Sequence, residues 1–570
     1  MNDDRYNVTD LTAPFDISCD MKILMLPMRD GVKLHTTIYF PPGLPERAPA
    51  VLLRSPYTRT TWFDPPYASA FAHGCVYILQ ACRGTGWSEG GVFHPSDVDV
   101  EKNDAEDLFR WLKNQTWFNG RCAMFGASYP GWTQWCAARC ENNPLVAVSP
   151  RVAPLHSCCG AVQKGGGALL GFPINWPLSM YHRRTYGYAG VPDYDAMQVC
   201  RHLPVNECDR FAGYGKPLPI FQDFLQSAMT PPGEFLRRHE TWFAGMRTPA
   251  FIQGGWFDGF KRESIESFQR MKHGSATEKS RNFTRLTVGP WGHAGLLNPE
   301  LFGKENNLEP MQARLEKFIF GLLKDPDRDP LAGEAAVRYF MLGENRWYDS
   351  ADWPPPDAAP ETFYLHSGGN ANTRRGDGAL SRKAPGTELP DRCVSDPNTP
   401  VSPTDGNNER GCCDRGKMED RNDVLVYTTE KFAEPLTVTG NVRLRFYAAA
   451  STPDTDFFAT LTDVTPDGRS MLLTTGMIRA RYRNSLDKEE LLTPGAVCAY
   501  EIDLGDVAVK FLPGHAMRLE ICGQEFPAWD RNANTGNTPF TDTALRTSIH
   551  TVYHDADRPA ELILPVCPEP

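Results

Sequence analysis

The 570 residues are 41% hydrophobic, 11% aromatic and 23% charged, an ordinary globular mixture that excludes disordered, collagen-like and coiled-coil classes. Lys and Arg total 59 against 70 Asp and Glu, a formal net charge of −11. An acidic chain with no long basic run is a poor polyanion binder, so nucleic acid is set aside as a partner.

Met1-Asn2-Asp3-Asp4-Arg5 lacks a basic stretch followed by an apolar one. No secretory signal is expected, and a cytoplasmic location is read. The Asn7-Val8-Thr9 acceptor pattern then carries no weight. No run of about 18 apolar residues predicts a membrane span. The sixteen cysteines show no metal-type spacing: Cys158-Cys159 and Cys412-Cys413 are adjacent, and Cys136 and Cys140 are four apart. Most are read as small buried apolar groups in a reducing compartment, and no metal is expected.

In chain order, Met21 to Phe40 predicts a β-hairpin turning at Arg29-Asp30-Gly31. Continuous apolar runs at Ala50–Leu53, Val76–Leu79, Cys122–Phe125 and Val146–Val148 predict buried parallel strands, whose two faces are both covered by helices. Ala105, Leu108, Phe109 and Leu112 mark one face of a helix between Glu101 and Asn114. The alternation is that of an α/β core over 1–156. It stops from 157 to 246, a stretch with Trp176, Tyr181, Tyr186, Tyr188 and Phe224 that ends in a helix-like Glu234 to Phe243 and is read as a cap. The core resumes over 247–345 with strands at Ala250–Ile252 and Leu286–Val288 and a helix from Met311 to Leu323. From 346 to 570 the chain is read as a β-sandwich. Its polar stretch Ser367 to Asp423 is read as linker or loop, and short strands follow at Val424, Val442, Phe457, Met477, Val497 and Met517.

Phe125-Gly126-Ala127-Ser128-Tyr129-Pro130-Gly131 follows an apolar strand and precedes a helix-like Trp132 to Arg139. A serine at a tight strand-to-helix turn presents its hydroxyl above the sheet, and small neighbours allow the turn. The elbow pattern wants glycine two places after the serine, where Pro130 stands; Gly131 comes one place later. Asp258, in Gly254-Gly255-Trp256-Phe257-Asp258-Gly259, and His293, in Gly289-Pro290-Trp291-Gly292-His293, each lie just past a predicted strand. Open α/β sheets collect their sites at that edge, and Ser, Asp, His is the chain order of α/β-hydrolases. Ser128 is thus a candidate nucleophile, His293 its base and Asp258 the group that orients the imidazole.

With Arg54-Ser55-Pro56-Tyr57, the run Arg83-Gly84-Thr85-Gly86-Trp87-Ser88-Glu89-Gly90, and Asp454-Thr455-Asp456-Phe457, these motifs resemble the cocaine esterase / X-Pro dipeptidyl-peptidase type of α/β-hydrolase over nearly the whole chain. That family's elbow also carries its glycine three places after the serine. The resemblance implies an α/β-hydrolase core with an inserted helical cap and a C-terminal jelly-roll β-sandwich. It also implies an oxyanion hole built from the Tyr57 hydroxyl and the Tyr129 backbone N–H. One departure is Gln80-Ala81-Cys82, where the family has an aspartate two places before the arginine of the Arg83 loop. Trp176 and Phe260 are candidate pocket walls for an aromatic or acyl group.

The leading expectation is a serine hydrolase cleaving a small-molecule carboxylic ester, or an amide, through an acyl-enzyme. The alternatives are an acyltransferase or X-Pro/aminoacyl peptidase with the same three residues, or a non-catalytic carbohydrate-binding scaffold. A peptidase would need carboxylates for a substrate amine; Glu207, Asp209 and Asp223 of the cap are expected to be solvated instead. No cofactor is expected, and the sequence leaves room for a homo-oligomer.

Overall fold

The computed structural model describes residues 19–568, except 58–65, 92, 96, 156–162, 171–175, 178–179, 181–195, 212–214, 216, 234–240, 308 and 403–410. Tyr181, Tyr186, Tyr188, Cys158-Cys159 and most of the expected helix from Glu234 lie outside the described residues.

The first part of the chain builds β1 (Asp20–Pro27), β2 (Lys33–Phe40), β3 (Ala48–Ser55), α1 (Pro66–Ala72), β4 (Val76–Ala81), α2 (Val98–Lys113), β5 (Phe118–Ala127), α3 (Tyr129–Ala138) and β6 (Leu145–Arg151). Two-residue strands β7 (Gln163–Lys164) and β8 (Gly167–Ala168) open the cap region. They are followed by β9 (Phe251–Gly255), β10 (Arg285–Gly289), the small pair β11 (Trp291–Gly292) and β12 (Gly295–Leu296), then β13 (Val337–Met341) and β14 (Arg346–Ser350). One ten-stranded sheet runs β1-β2-β4-β3-β5-β6-β9-β10-β13-β14. Its centre is parallel, and its ends are antiparallel at β1–β2, β2–β4 and β13–β14.

The unalternating strands have the predicted cause. Leu52, Ile78, Met124, Val148 and Ile252 face one buried layer with Leu108, Trp135 and Phe268. Their neighbours Val51, Tyr77, Ala123, Ala147 and Phe251 face another, with Phe318, Ile319 and Leu322 of the helix Glu309–Lys324. The sheet extends past residue 345 because β14 pairs along β13, Tyr348 opposite Tyr339. We therefore propose Ser350 as the end of the core, with the cap over 157–246.

The remainder is β-rich: β15 (Ala359–His366), β16 (Ala379–Ser381), β17 (Asp391–Ser395), β18 (Leu425–Thr428), β19 (Leu436–Ala450), β20 (Asp456–Val464), β21 (Ser470–Arg479), β22 (Cys498–Phe511), β23 (Ala516–Cys522), β24 (Ser548–Tyr553) and β25 (Glu561–Cys567). Its eleven strands share one hydrogen-bonded ladder in the order β17-β24-β19-β25-β15-β16-β18-β23-β20-β21, with β22 on β19. β15, β16 and β17 correct the sequence reading, which gave no strand to 346–423. Strand β7–β8 staples the cap to this domain: Asp530 N donates to Ala168 O at 2.8 Å, Ala168 N to Asp530 Oδ1 at 2.7 Å, and Arg479 N to Gly165 O at 2.7 Å. Cap residues Phe221 and Leu225 share a buried cluster with Phe526 and Phe540.

A charged knot closes the β domain. His554, 1% exposed, has Nδ1 3.0 Å from Glu388 Oε2 and Nε2 2.8 Å from Asp391 Oδ2, and Tyr427 donates its hydroxyl to Asp391 at 2.9 Å. Burial disfavours the imidazolium, but the bonds and charges of Asp391 and Glu388 outweigh it, so His554 titrates above its usual 6.5. Burial likewise works against the Asp391 carboxylate, yet bonds from His554, Ser367, Ala371 and Tyr427 hold it below its usual 3.8. The raised imidazolium contributes stability that is complete below about pH 6.5 and is lost as pH rises through its folded-state value. The lowered carboxyl contributes above about pH 3.8, and that part is lost as pH falls through its folded-state value. His554→Gln is expected to cost about 3 kcal/mol near pH 6, the scale of breaking a buried ion pair, and distinctly less near pH 9. Denaturant titrations at both pH values check this.

Candidate active site

Ser128 directly follows β5 and precedes α3. Its backbone has φ 62° and ψ −129°, a conformation that side chains other than glycine rarely adopt. The strain is over-determined by its surroundings. Ser128 N donates to Arg151 O at 2.9 Å, and Ser128 O accepts from Gly131 N at 2.8 Å and Trp132 N at 3.1 Å. Gly126 and Gly131 are needed for close approach. A Cβ on Gly126 would lie 2.8 Å from Pro130 Cβ, and one on Gly131 would lie 2.5 Å from Ala153 Cβ. Pro130 sits within the first helical turn, which tolerates it, and the glycine that the chain needs there is Gly131.

Asp258 and His293 are brought into direct contact. Asp258 follows β9, and His293 follows β11, which leaves β10. His293 Nδ1 lies 2.7 Å from Asp258 Oδ2, and Phe260 N donates to Asp258 Oδ1 at 2.8 Å. The Asp258 side chain is fully buried while a quarter of the His293 side chain is exposed, so the imidazole is anchored on its acid side. The two loops are stitched by Trp256 N to Gly289 O (2.9 Å) and Phe257 N to Trp291 O (3.0 Å). Ser128 stands along the same carboxyl edge at the end of β5, two strands from β9 and three from β10 in the order β5-β6-β9-β10.

Tyr57 is half-buried three residues past Arg54, and its hydroxyl accepts from Trp176 Nε1 at 3.1 Å. Tyr129 is buried, and its hydroxyl donates to Glu101 Oε1 at 3.1 Å. Trp176 stacks on Tyr129 with ring centroids 6.1 Å apart and packs near Phe93 and Phe224. Phe260 is buried, its ring edge-on to His293 at 5.5 Å. Both expected wall residues therefore touch members of the candidate site.

Other expectations change. The Arg83 loop, which lacks the family's aspartate, is held by two other acids: Arg83 Nη1 to Asp30 Oδ2 at 2.7 Å and Nη2 to Asp104 Oδ1 at 2.6 Å. Asp209 is buried and not solvated as expected, because it accepts from Arg210 N at 2.9 Å, Leu218 N at 2.5 Å and Gln222 Nε2 at 3.1 Å. Asp223 meets His94 Nδ1 at 2.8 Å, joining the cap helix Pro219–Met229 to the core. Sequence reasoning missed Arg54 and Glu101, a buried pair behind Tyr129, and Lys164, whose Nζ donates to Gly259 O at 2.5 Å beside Asp258. Among the described residues, no cluster of three or more His, Cys, Asp or Glu is arranged to hold a metal ion. No helix among them is long and apolar enough to cross a membrane.

Residues 30–295 match the X-Pro dipeptidyl-peptidase (S15) family, and residues 332–563 match the X-Pro dipeptidyl-peptidase C-terminal non-catalytic domain. The chain is 32% identical to cocaine esterase of a Rhodococcus species over 95% of its length and 98% of the relative's. The fold is shared with an aminopeptidase from a marine-sediment Thaumarchaeota archaeon (TM-score 0.80, 23% identity, 97% of both chains). It is also shared with an α-amino acid ester hydrolase (TM-score 0.77, 24% identity, 96% of both chains). The chain thus belongs to the cocaine esterase / X-Pro dipeptidyl-peptidase type of α/β-hydrolases and is a serine hydrolase.

Proposed function

We propose that Ser128, His293 and Asp258 form the relay that hydrolyses a neutral carboxylic ester through an acyl-enzyme. The observation that carries this reading is the 2.7 Å Asp258–His293 bond on the sheet edge that presents Ser128 in its strained turn. Asp258 keeps the Nδ1 proton in place, so Nε2 is the basic nitrogen that takes the Ser128 proton and later gives it to the leaving alcohol. The Tyr57 hydroxyl and Tyr129 backbone N–H are the proposed donors to the tetrahedral oxyanion. Trp176 serves two purposes. Its ring, with Phe93, Phe224 and Phe260, walls a pocket for a planar or acyl group, and its N–H orients the Tyr57 hydroxyl.

A substrate with a free amine would call for a carboxylate turned towards it. Among the described cap carboxylates, Asp209 spends its oxygens on backbone and Gln222 donors, Asp223 is paired with His94, and Glu207 is exposed as expected, which favours the ester over an aminoacyl peptide. We place the enzyme in the cytoplasm, on cysteines such as Cys82, Cys122 and Cys136 that pack as buried apolar groups.

The test is a panel of aryl, alkyl and aminoacyl esters with proline-containing dipeptide amides alongside, together with mass mapping of a fluorophosphonate adduct. Hydrolysis of neutral esters and an adduct on Ser128 are expected. Preferential cleavage of the dipeptide amides would replace the ester reading with a peptidase one, and transfer to added alcohols in place of hydrolysis would make it an acyltransferase. Trp176→Phe is expected to lower kcat several-fold with KM nearly unchanged, because the ring stays and the bond to Tyr57 goes. Trp176→Ala is expected to raise KM for aromatic-acyl esters about tenfold, the scale of one lost aromatic contact. Steady-state kinetics of the two variants separate these effects.

A further inference from the structure

Beneath the candidate oxyanion donors lies a fully buried ion pair that the relay does not use. Arg54, the penultimate residue of β3, is 0% exposed and Glu101, in the first turn of α2, is 4% exposed. Arg54 Nη1 lies 2.8 Å from Glu101 Oε2 and donates to Glu101 O at 2.7 Å. Arg54 Nε donates to Gln80 Oε1 at 2.9 Å, and Gln80 Nε2 in turn donates to Thr36 Oγ1 at 3.1 Å. Asp104 stands further off, 3.9 Å from Arg54 Nη2. The guanidinium is thereby locked to three elements: β2, β4 and α2.

Both members of the pair then reach the N-terminal half of α3. Glu101 Oε1 accepts the Tyr129 hydroxyl at 3.1 Å, and Arg54 O accepts the Thr133 hydroxyl at 3.1 Å. The backbone of Arg54 continues through Ser55 to Tyr57, and Tyr57 N donates to Ser55 Oγ at 3.1 Å. The buried pair is therefore hydrogen-bonded to Tyr129 and sits at the strand end three residues before Tyr57. A buried ion pair is a weak device for stability, because apolar groups of the same shape usually do as well. Its directional bonds, by contrast, fix geometry, and oxyanion donors act only when fixed in advance.

We propose that Arg54 and Glu101 are positioning residues for the oxyanion hole: Glu101 sets the Tyr129 backbone through its side chain, and Arg54 sets the strand end that delivers Tyr57. This deepens the reading of Tyr57, Ser128 and Tyr129 given above and rests on it. Tyr129→Phe isolates the tether. It keeps the ring, the stacking on Trp176 and the Arg54–Glu101 pair, and removes one O–H donor.

The experiment uses the full chain and an activated aryl ester, with Ser128→Ala run beside it. For Tyr129→Phe, kcat is expected to fall about tenfold or more, on the scale of a sub-ångström displacement of a catalytic donor, with KM within about twofold. Binding of an arylboronic acid, whose tetrahedral adduct mimics the oxyanion, is expected to weaken by the same factor as kcat. A loss of packing alone would not tie these two readouts together. Glu101→Gln, which still offers Tyr129 an acceptor, is expected to keep more kcat than Glu101→Leu. If the Glu101 variants fail to fold, Tyr129→Phe decides by itself. Wild-type kcat and boronate affinity in Tyr129→Phe, with Ser128→Ala inactive, would overturn the positioning role and leave the nucleophile standing. Full activity in Ser128→Ala would remove the reading on which the proposal rests.

Discussion

Ser128→Ala is expected to reduce kcat by about 10⁵–10⁶-fold, the scale of removing a serine nucleophile from a relay that acts as a unit. KM should stay close to that of the wild type, because the aromatic walls and the proposed oxyanion donors remain. A residual rate of about 10³ over water is expected from those donors alone. The substitution is structurally quiet. Alanine meets the same strain at φ 62°, so the melting temperature should barely move and any lost activity is chemical. Ser128→Gly adds a control, since glycine relieves the strain and is expected to stabilise the protein by about 1 kcal/mol while being equally inactive. Turnover by Ser128→Ala within tenfold of the wild type would move the nucleophile elsewhere.

Much of the hydrolase core was legible because buried parallel strands leave a simple trace. Val51 and Leu52 are both apolar because each faces a different helix layer. The strand-end positions of Ser128, Asp258 and His293 followed from those strands and from chain order. Three kinds of feature were not legible. Strand β14, Arg346–Ser350, is a half-exposed edge with no continuous apolar run, so the core reads as ending at residue 345. Strand β17, Asp391–Ser395, points a carboxylate inwards, because Asp391 is matched by His554, 163 residues later; no local pattern announces such a partner. Arg54 and Glu101 are hidden for the same reason. A charged residue at a strand end and another in a first helical turn both look solvated until the fold closes over them. Asp209 is the cap's version of this error, a carboxylate buried by the backbone donors it satisfies.

Asp258→Asn is expected to lower kcat about 10⁴-fold at neutral pH with the fold intact, and the structure supplies the reason. Phe260 N donates to Asp258 Oδ1 at 2.8 Å, leaving Oδ2 to face His293 Nδ1 at 2.7 Å. In the variant the amide can orient in only one way without opposing two donors: its oxygen must take the Phe260 N–H, so its NH₂ turns towards His293. The NH₂ group can only donate, so Nδ1 must become the acceptor and the imidazole proton shifts to Nε2. The nitrogen proposed to accept the Ser128 proton is then already protonated, and the base is lost without any side chain moving. Asp258→Glu sets the contrast, because it keeps an acceptor and gives up only position. It should retain more activity than the isosteric amide. The kinetics of the two variants, with nitrogen-detected NMR of His293 to read the tautomer, decide the matter. An Asn variant that kept its proton on Nδ1 and its turnover near wild type would show that Asp258 does not set the base.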